Sequence, residues 1–242
     1  MEQWTDRTTL LLGSEKMRKL QEAHILVVGL GGVGAYAVES LTRAGIGKFT
    51  IVDGDTVSTT NLNRQLPALN STLAQSKADL LKKRMLDINP EVEVIALHEY
   101  LKDDRIIEVL EQAPYDYVVD AIDTLAPKVF LTFHALKRHL PIVCAMGAGG
   151  RLDPSKVTIS DVKDSYNDKL AFYFRKRLHR LGIREGFKVV FSSEKPNEEA
   201  LQQVDDAKNQ KSIRGTISYM PALFGLFCAS VVIQGLTMPE KI

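Results

Sequence analysis

The chain has 242 residues, 45% apolar and 25% charged, a globular composition that excludes a disordered, collagen-like or low-complexity chain. Lys and Arg number 31 against 30 Asp and Glu, so the net charge of +1 excludes a globally basic nucleic-acid coat and leaves room for a local basic patch. Two cysteines, Cys144 and Cys228, exclude a disulfide framework and a cysteine-rich zinc site, and no export signal opens the sequence, so a cytoplasmic setting is expected.

In chain order, the apolar periodicity predicts an amphipathic helix over 9–22, then a short apolar strand over 24–28 ending at Gly29. A Gly-rich turn leads into a helix over 35–44, and 49–53 is a second strand. A helix over 76–89 is stopped by Pro90; 92–97 is a third strand, 104–112 a helix, 117–123 a fourth strand, 127–139 a helix and 142–145 a fifth strand. This alternation predicts an α/β fold: a Rossmann-like, mostly parallel sheet with helices on both faces and ligands at the carboxyl ends of the strands. Past Gly150 the pattern changes. A few C-terminal strands extend the fold, at 157–160 and 188–191, expected outside the parallel run, with a basic segment between them. The polar stretch 197–214 shows no clear period and reads as a flexible loop. No residue from 215 to 239 is charged; with Pro221, Gly225 and Gln234 inside it, this stretch reads as a buried or subunit-interface helix, membrane association being the minor alternative.

The motifs that carry chemistry fall at predicted strand ends. Gly29-Leu30-Gly31-Gly32-Val33-Gly34 lies between a strand and a helix, where glycines let the backbone approach a phosphate and the helix N-terminus favours an anion. That signal does not separate NAD from ATP. Asp53, at the end of the next strand, can accept ribose hydroxyls, and NAD survives this step too. Asn61-Leu62-Asn63-Arg64-Gln65 and Lys77 shift the balance. A dinucleotide dehydrogenase has no need of this Arg and Lys, whereas a triphosphate does. Arg offers a forked donor set and Lys a mobile point charge, and together they neutralise charge gathering on an α-phosphate under attack. Asp120-Ala121-Ile122-Asp123-Thr124 sets Asp123 beside the same crevice, and a carboxylate beside phosphates calls for a bridging magnesium. Taken singly, each has a plainer reading: Asp53 as a turn residue, Arg64 and Lys77 as solvated charges, the Asp123 motif as a helix N-cap ahead of Pro127.

As a set, the Gly29–Gly34 loop, Asp53, Asn61 to Gln65, Lys77 and Asp123 resemble the superfamily of ubiquitin-like-protein activating enzymes, ThiF, MoeB and HesA, over about residues 5–150. The resemblance implies a fold that binds Mg-ATP and adenylates a carboxylate. It assigns Gly29, Gly31, Gly32, Gly34, Asn61 and Thr124 to the nucleotide pocket, Asp53 to ribose, Arg64 and Lys77 to the phosphates, and Asp123 to the magnesium. It also implies a homodimer in which Arg7 reaches the ATP of the other subunit.

Three departures choose the branch. The zinc-binding C-x-x-C pairs of the sulfur-carrier activators are missing, no cysteine lies in 151–192 where a thioester-forming residue is expected, and no ubiquitin-like or rhodanese segment follows within the 242 residues. Ala44-Gly45-Ile46-Gly47, Asp120 to Asp123, Gly147-Ala148-Gly149-Gly150 with Asp153-Pro154, and Gly215-Thr216-Ile217-Ser218-Tyr219 resemble the tRNA threonylcarbamoyladenosine dehydratases. This implies one adenylating domain over 1–242, with 151–215 as a substrate-side extension within it. The implied activity is ATP-dependent cyclisation of the modified adenosine in tRNA, with net loss of water, through an acyl-adenylate of the threonyl carboxylate. A nucleophile already within the substrate closes the ring, so no enzyme cysteine is needed. The alternative is adenylation of the C-terminal Gly-Gly of a ubiquitin-like sulfur carrier by the same ATP residues. A non-catalytic NAD-binding sensor leaves Arg64, Lys77 and Asp123 unexplained. By resemblance alone, a monovalent cation (Na+ or K+) near 147–150 and a cysteine desulfurase or sulfur-acceptor partner are also implied.

The basic segment adds Lys169, Arg175, Lys176, Arg177, Arg180, Arg184 and Lys188 against Glu185 alone, with Phe172, Tyr173, Phe174 and His179 interleaved. Phosphate contacts plus stacking rings suit a tRNA loop; a solvated helix face is the other reading.

Overall fold

The computed structural model describes residues 3–206 and 209–238. Seven strands form one sheet: β1 (His24–Val28), β2 (Lys48–Val52), β3 (Glu93–Leu97), β4 (Tyr117–Asp120), β5 (Ile142–Ala145), β6 (Val157–Asp161) and β7 (Lys188–Ser192), in the order β3-β2-β1-β4-β5-β7-β6. Residues of β1 alternate between two cores. Ile25 and Val27 pack toward one and Leu26 and Val28 toward the other, so every position after His24 is apolar, as burial on both faces requires.

Helices cover both faces. Following α1 (Asp6–Leu12), the first layer holds α2 (Ser14–Glu22), α3 (Gly34–Arg43) and α4 (Lys77–Ile88). The opposite layer holds α5 (Asp104–Glu111), α6 (Leu125–Lys137) and α7 (Lys169–Arg180). The last helix, α8 (Tyr219–Thr237), returns to the first layer. The chain winds outward from β1 to β3, then crosses back to place β4 on the other side of β1. That reversal opens a crevice at the carboxyl ends of β1 and β4.

Four expectations are corrected. The helix expected over 9–22 is two helices, broken at Gly13, whose φ of +85° no helix accommodates. The strand at 188–191 is not outside the parallel run. β7 pairs parallel with β5, burying Val189, Val190 and Phe191, and β6 alone is antiparallel, at the edge. The stretch 197–214 is not a loop throughout but contains a hairpin, β8 (Leu201–Asp206) with β9 (Asn209–Arg214). This hairpin stands apart from the main sheet, and no hydrophobic alternation marks it in the sequence. The fourth strand ends at Asp120 rather than Asp123, because the Ile122 N–H turns back onto Asp120 Oδ1 at 3.0 Å.

The uncharged C-terminal stretch is a helix of 19 residues with mean hydropathy 1.7. Met220, Phe224, Cys228 and Val232 are fully buried at four-residue spacing. Gly225 lets α8 close on α3, since a Cβ there would stand 2.3 Å from the Val33 carbonyl. Packing within the fold accounts for this apolar face. Pro239, at the end of the uncharged stretch, lies outside the described residues.

Candidate active site

A cavity of about 1610 Å³ opens at the reversal point, lined by the turn after β1, the ends of β2 and β4, the loop after β5, and the approaches to α7 and α8. Gly29 leaves β1 with a φ of +89° and passes so close to β4 that a Cβ would lie 2.7 Å from the Ala121 carbonyl. Gly29, Gly31 and Gly32 line the cavity. Gly34 does not. A Cβ on it would stand 1.8 Å from the Gly29 carbonyl, so its part is to pack the start of α3 onto the turn.

Asp53, at the end of β2, braces that turn. Its Oδ2 accepts the Leu30 N–H at 2.6 Å and its Oδ1 the Asp55 N–H at 2.7 Å. Burial raises its carboxyl above the usual aspartate range, against those two N–H bonds and the nearby Lys77. Lys77 opens α4 behind a Ser76 cap, with its side chain only 4% exposed and its Nζ 2.8 Å from Asp55 Oδ2. The Tyr100 hydroxyl donates to the other Asp55 oxygen, a bond that pushes the phenol up to about 12.

Arg64 also lines the cavity. It is held by its own loop, with Nη1 donating to Thr60 O and Asn63 Oδ1, each at 2.9 Å, and it has no carboxylate partner among the described residues. Asn61 is not among the residues that line the cavity. It is 8% exposed, and its Oδ1 accepts the Ser58 N–H at 3.1 Å, which fixes the loop that carries Arg64.

Asp123 and Thr124 are exposed on the cavity wall, and Asp123 has no hydrogen-bond or ion-pair partner among the described residues. No group of three or more metal-ligating side chains occurs among those residues. A lone free carboxylate suits magnesium that arrives already bound to phosphates, which supply most of its ligands.

Sequence reasoning missed what holds this turn. Lys128 on α6 is fully buried, with its Nζ 2.9 Å from Ile122 O, 3.4 Å from Asp120 O and 3.0 Å from Asp120 Oδ2. The charge is thereby spent on the backbone that presents Asp123. A lysine inside the apolar run Pro127-Lys128-Val129-Phe130-Leu131 was the available signal. Burial raises the Asp120 carboxyl, with Lys128 opposing, and raises the neighbouring Cys144 thiol well above its ordinary value.

A second buried pair was also missed. Arg151 Nη2 lies 3.0 Å from Asp168 Oδ2, and the guanidinium also donates to the carbonyls of Gly147, Gly149, Asn167 and Glu194. The Gly150 carbonyl accepts the Asn197 N–H at 2.7 Å. A guanidinium on the carbonyls of Gly147 and Gly149 disfavours a second cation on that side of the loop. Asp168 in turn accepts the Gly147 N–H and caps α7 through the Ala171 N–H at 2.7 Å, joining the cavity wall to that helix.

On α7, Ala171, Phe174 and Leu178 face the core. Lys169, Phe172, Tyr173, Lys176, Arg177 and Arg180 form one exposed stripe at spacings of one and three, and Lys169 at its start lines the cavity. Arg175 does not belong to that stripe. It is half-buried with Nη1 on Ser165 Oγ, and burial lowers its guanidinium below the usual value. Arg184 is exposed beyond the helix. Arg7 is exposed on α1 and does not line the cavity of its own chain.

Residues 5–242 match the model of the ThiF family. The chain is 38% identical to a tRNA threonylcarbamoyladenosine dehydratase of Bacillus subtilis, over 95% of this chain and 93% of that one. The solved structure of the E. coli dehydratase TcdA in complex with ATP superposes with a TM-score of 0.86 at 32% identity, covering 96% of this chain and 93% of that one. The AMP complex of TcdA matches with the same TM-score at 33% identity, over 96% and 92%. A glycine turn, a strand-end aspartate and a basic pair around one crevice, in a chain of this similarity, lead to one assignment: the chain belongs to the ThiF family, on its tRNA threonylcarbamoyladenosine dehydratase branch.

Proposed function

We propose that this protein dehydrates threonylcarbamoyladenosine in tRNA at the expense of ATP. The carrying observation is that Arg64 and Asp123, both without ionic partners among the described residues, face one cavity with the glycine turn and Lys77. Its volume of about 1610 Å³ exceeds the roughly 300–1,000 Å³ of an ordinary small-ligand pocket, which leaves room for a nucleotide and a second ligand.

The chemistry follows from these side chains. A carboxylate is a poor electrophile. One of its oxygens attacks the α-phosphorus of ATP, the bond to the bridging oxygen breaks, and pyrophosphate leaves. Arg64 forks onto phosphate oxygens as charge gathers there, and Lys77 exchanges Asp55 for a phosphate. Asp53 accepts the ribose hydroxyls. Magnesium would be held by Asp123 with phosphate oxygens, where it neutralises charge on the leaving group. The acyl-adenylate carbon is then attacked by a nucleophile within the substrate, and AMP departs with one carboxylate oxygen. Holding both reacting groups in one molecule supplies much of the acceleration.

The tRNA rests on α7, where Lys176, Arg177 and Arg180 meet phosphates and Phe172 and Tyr173, each about half exposed, offer rings for stacking. Two copies of the chain assemble through α1. This helix buries none of its own residues and exposes Leu10 and Leu11 by 89% and 82%, and it carries Arg7 toward the other copy's cavity. Residues 1–242 act as one adenylating unit, with 151–215 shaping the substrate side.

Incubation with ATP, magnesium and tRNA bearing threonylcarbamoyladenosine, followed by nucleoside mass analysis, tests the reading. Loss of one water from that nucleoside is expected, and Arg64→Ala or Asp123→Ala abolishes it. An unchanged nucleoside beside full conversion of a Gly-Gly sulfur carrier to its adenylate refutes it.

A further inference from the structure

Three of the six cations on the cavity wall are spent, whereas Arg64, Lys102 and Arg214 have no carboxylate partner among the described residues. Lys77 is paired with Asp55, Arg151 with Asp168, and Lys169 with Glu198 at 3.1 Å. Arg214, the last residue of β9, is different. It lines the cavity, has no carboxylate partner among the described residues, and makes one long hydrogen bond, from Nη1 to Asn197 O at 3.5 Å. Among the described residues no other hydrogen bond takes up its five N–H donors, an arrangement that suits an anion.

Its stem is fixed. A Cβ on Gly149 would stand 3.2 Å from Arg214 Cγ and Cδ, and one on Gly150 would stand 3.0 Å from Nη1, so the side chain lies flat on glycine backbone. The segment is stapled there by Gly150 N–H to Gly215 O and Gly215 N–H to Ala200 O, both 2.8 Å. It is also tied to the loop that carries Arg64. Asn63 Nδ2 donates to Thr216 O at 3.0 Å, and the Thr216 hydroxyl donates to Arg214 O at 3.2 Å. Two arginines without carboxylates thus flank one cavity on segments bonded to each other. Arg64 adjoins the glycine turn, whereas Arg214 keeps company with Leu201 and Pro196 on the hairpin side.

We propose that Arg214 is the carboxylate-binding residue of the substrate site. It grips one oxygen of the substrate's acid group and turns the other toward the triphosphate held by Arg64. The assignment rests on the dehydratase reading above and adds the group that selects the acid. Arginine stays protonated throughout, so it moves no proton. It positions the nucleophilic oxygen, and the new O–P bond forms as pyrophosphate leaves.

The test compares two tRNAs that differ by one charge: the threonylcarbamoyl tRNA with its free acid, and the same tRNA with that acid converted to the carboxamide. The wild-type protein prefers the acid by about tenfold or more in equilibrium binding, as a charge-assisted bond requires. Arg214→Ala loses that preference with its affinity for the amide tRNA and for ATP unchanged, and Arg214→Lys recovers part of it. Retention of the full preference by Arg214→Ala overturns the assignment. So does an equal loss for both tRNAs with a flatter salt dependence, which marks a backbone phosphate contact instead. Turnover of the acid tRNA by the wild-type protein, measured alongside, separates failure of this assignment from failure of the dehydratase reading.

Discussion

Replacing Lys128 with methionine removes one member of an ion pair in which both side chains are 0% exposed and 3.0 Å apart. Asp120 is left as a buried carboxyl with no countercharge. Breaking a buried pair from one side costs about 3–5 kcal/mol, because the remaining group keeps its desolvation penalty and loses its attraction. For 242 residues unfolding with roughly 2.1 cal/mol/K of entropy each, this lowers the melting temperature by about 6–10 °C. The double variant Asp120→Asn with Lys128→Met removes both charges and recovers most of that loss. It still lacks the amine that holds Ile122 O, so the turn presenting Asp123 is loose and dehydration stays about 10–100-fold slow. Thermal melting and steady-state nucleoside conversion read the two effects separately. A wild-type melting temperature for Lys128→Met refutes the burial argument, and wild-type turnover by the double variant shows that Lys128 balances charge without positioning the turn.

Replacing Lys176, Arg177 and Arg180 together with alanine weakens tRNA binding and reduces the slope of log affinity against log salt by about 2, at roughly 0.7 per phosphate contact on single-stranded RNA; an unchanged slope in filter binding removes α7 from the interface. Asp53, raised by burial, takes up a proton at a higher pH than the ordinary ~3.9, so ATP affinity falls on acidification above that value, and calorimetry of Asp53→Asn shows a weaker and flatter profile. The stability effect of Asp53 has the opposite sign: its contribution is fully present below the unfolded value and is lost as pH rises through the raised folded one, so Asp53→Asn flattens that limb of the melting profile.

The sheet and the phosphate turn were legible because their physics is local. A strand buried on both faces is written as an unbroken apolar run such as Ile25 to Val28, and a turn that closes against Ala121 O is written as Gly29. Arg64, Lys77 and Asp123 were legible as a set because two cations and a carboxylate following a glycine turn have few uses besides a triphosphate. What stayed hidden depends on distant pairing. Lysine is by default a surface residue, and although the apolar run 127–131 hints that Lys128 is buried, nothing local names Asp120 and Ile122 O as its partners. Arg151 and Asp168 meet across 17 residues that include the whole of β6, and Arg175 leaves the basic stripe because its place on α7 sets it over Ser165. The hairpin of β8 and β9 was hidden for another reason. It stands apart from the main sheet, and its sequence carries no period.

The most direct test follows the atoms. The threonylcarbamoyl tRNA is prepared with oxygen-18 in its carboxylate and converted by the protein with unlabelled ATP. If the carboxylate strikes the α-phosphorus, one labelled oxygen leaves in AMP and the other stays in the ring product. Label appearing in inorganic phosphate with release of ADP, or in water with none in AMP, contradicts activation through an acyl-adenylate.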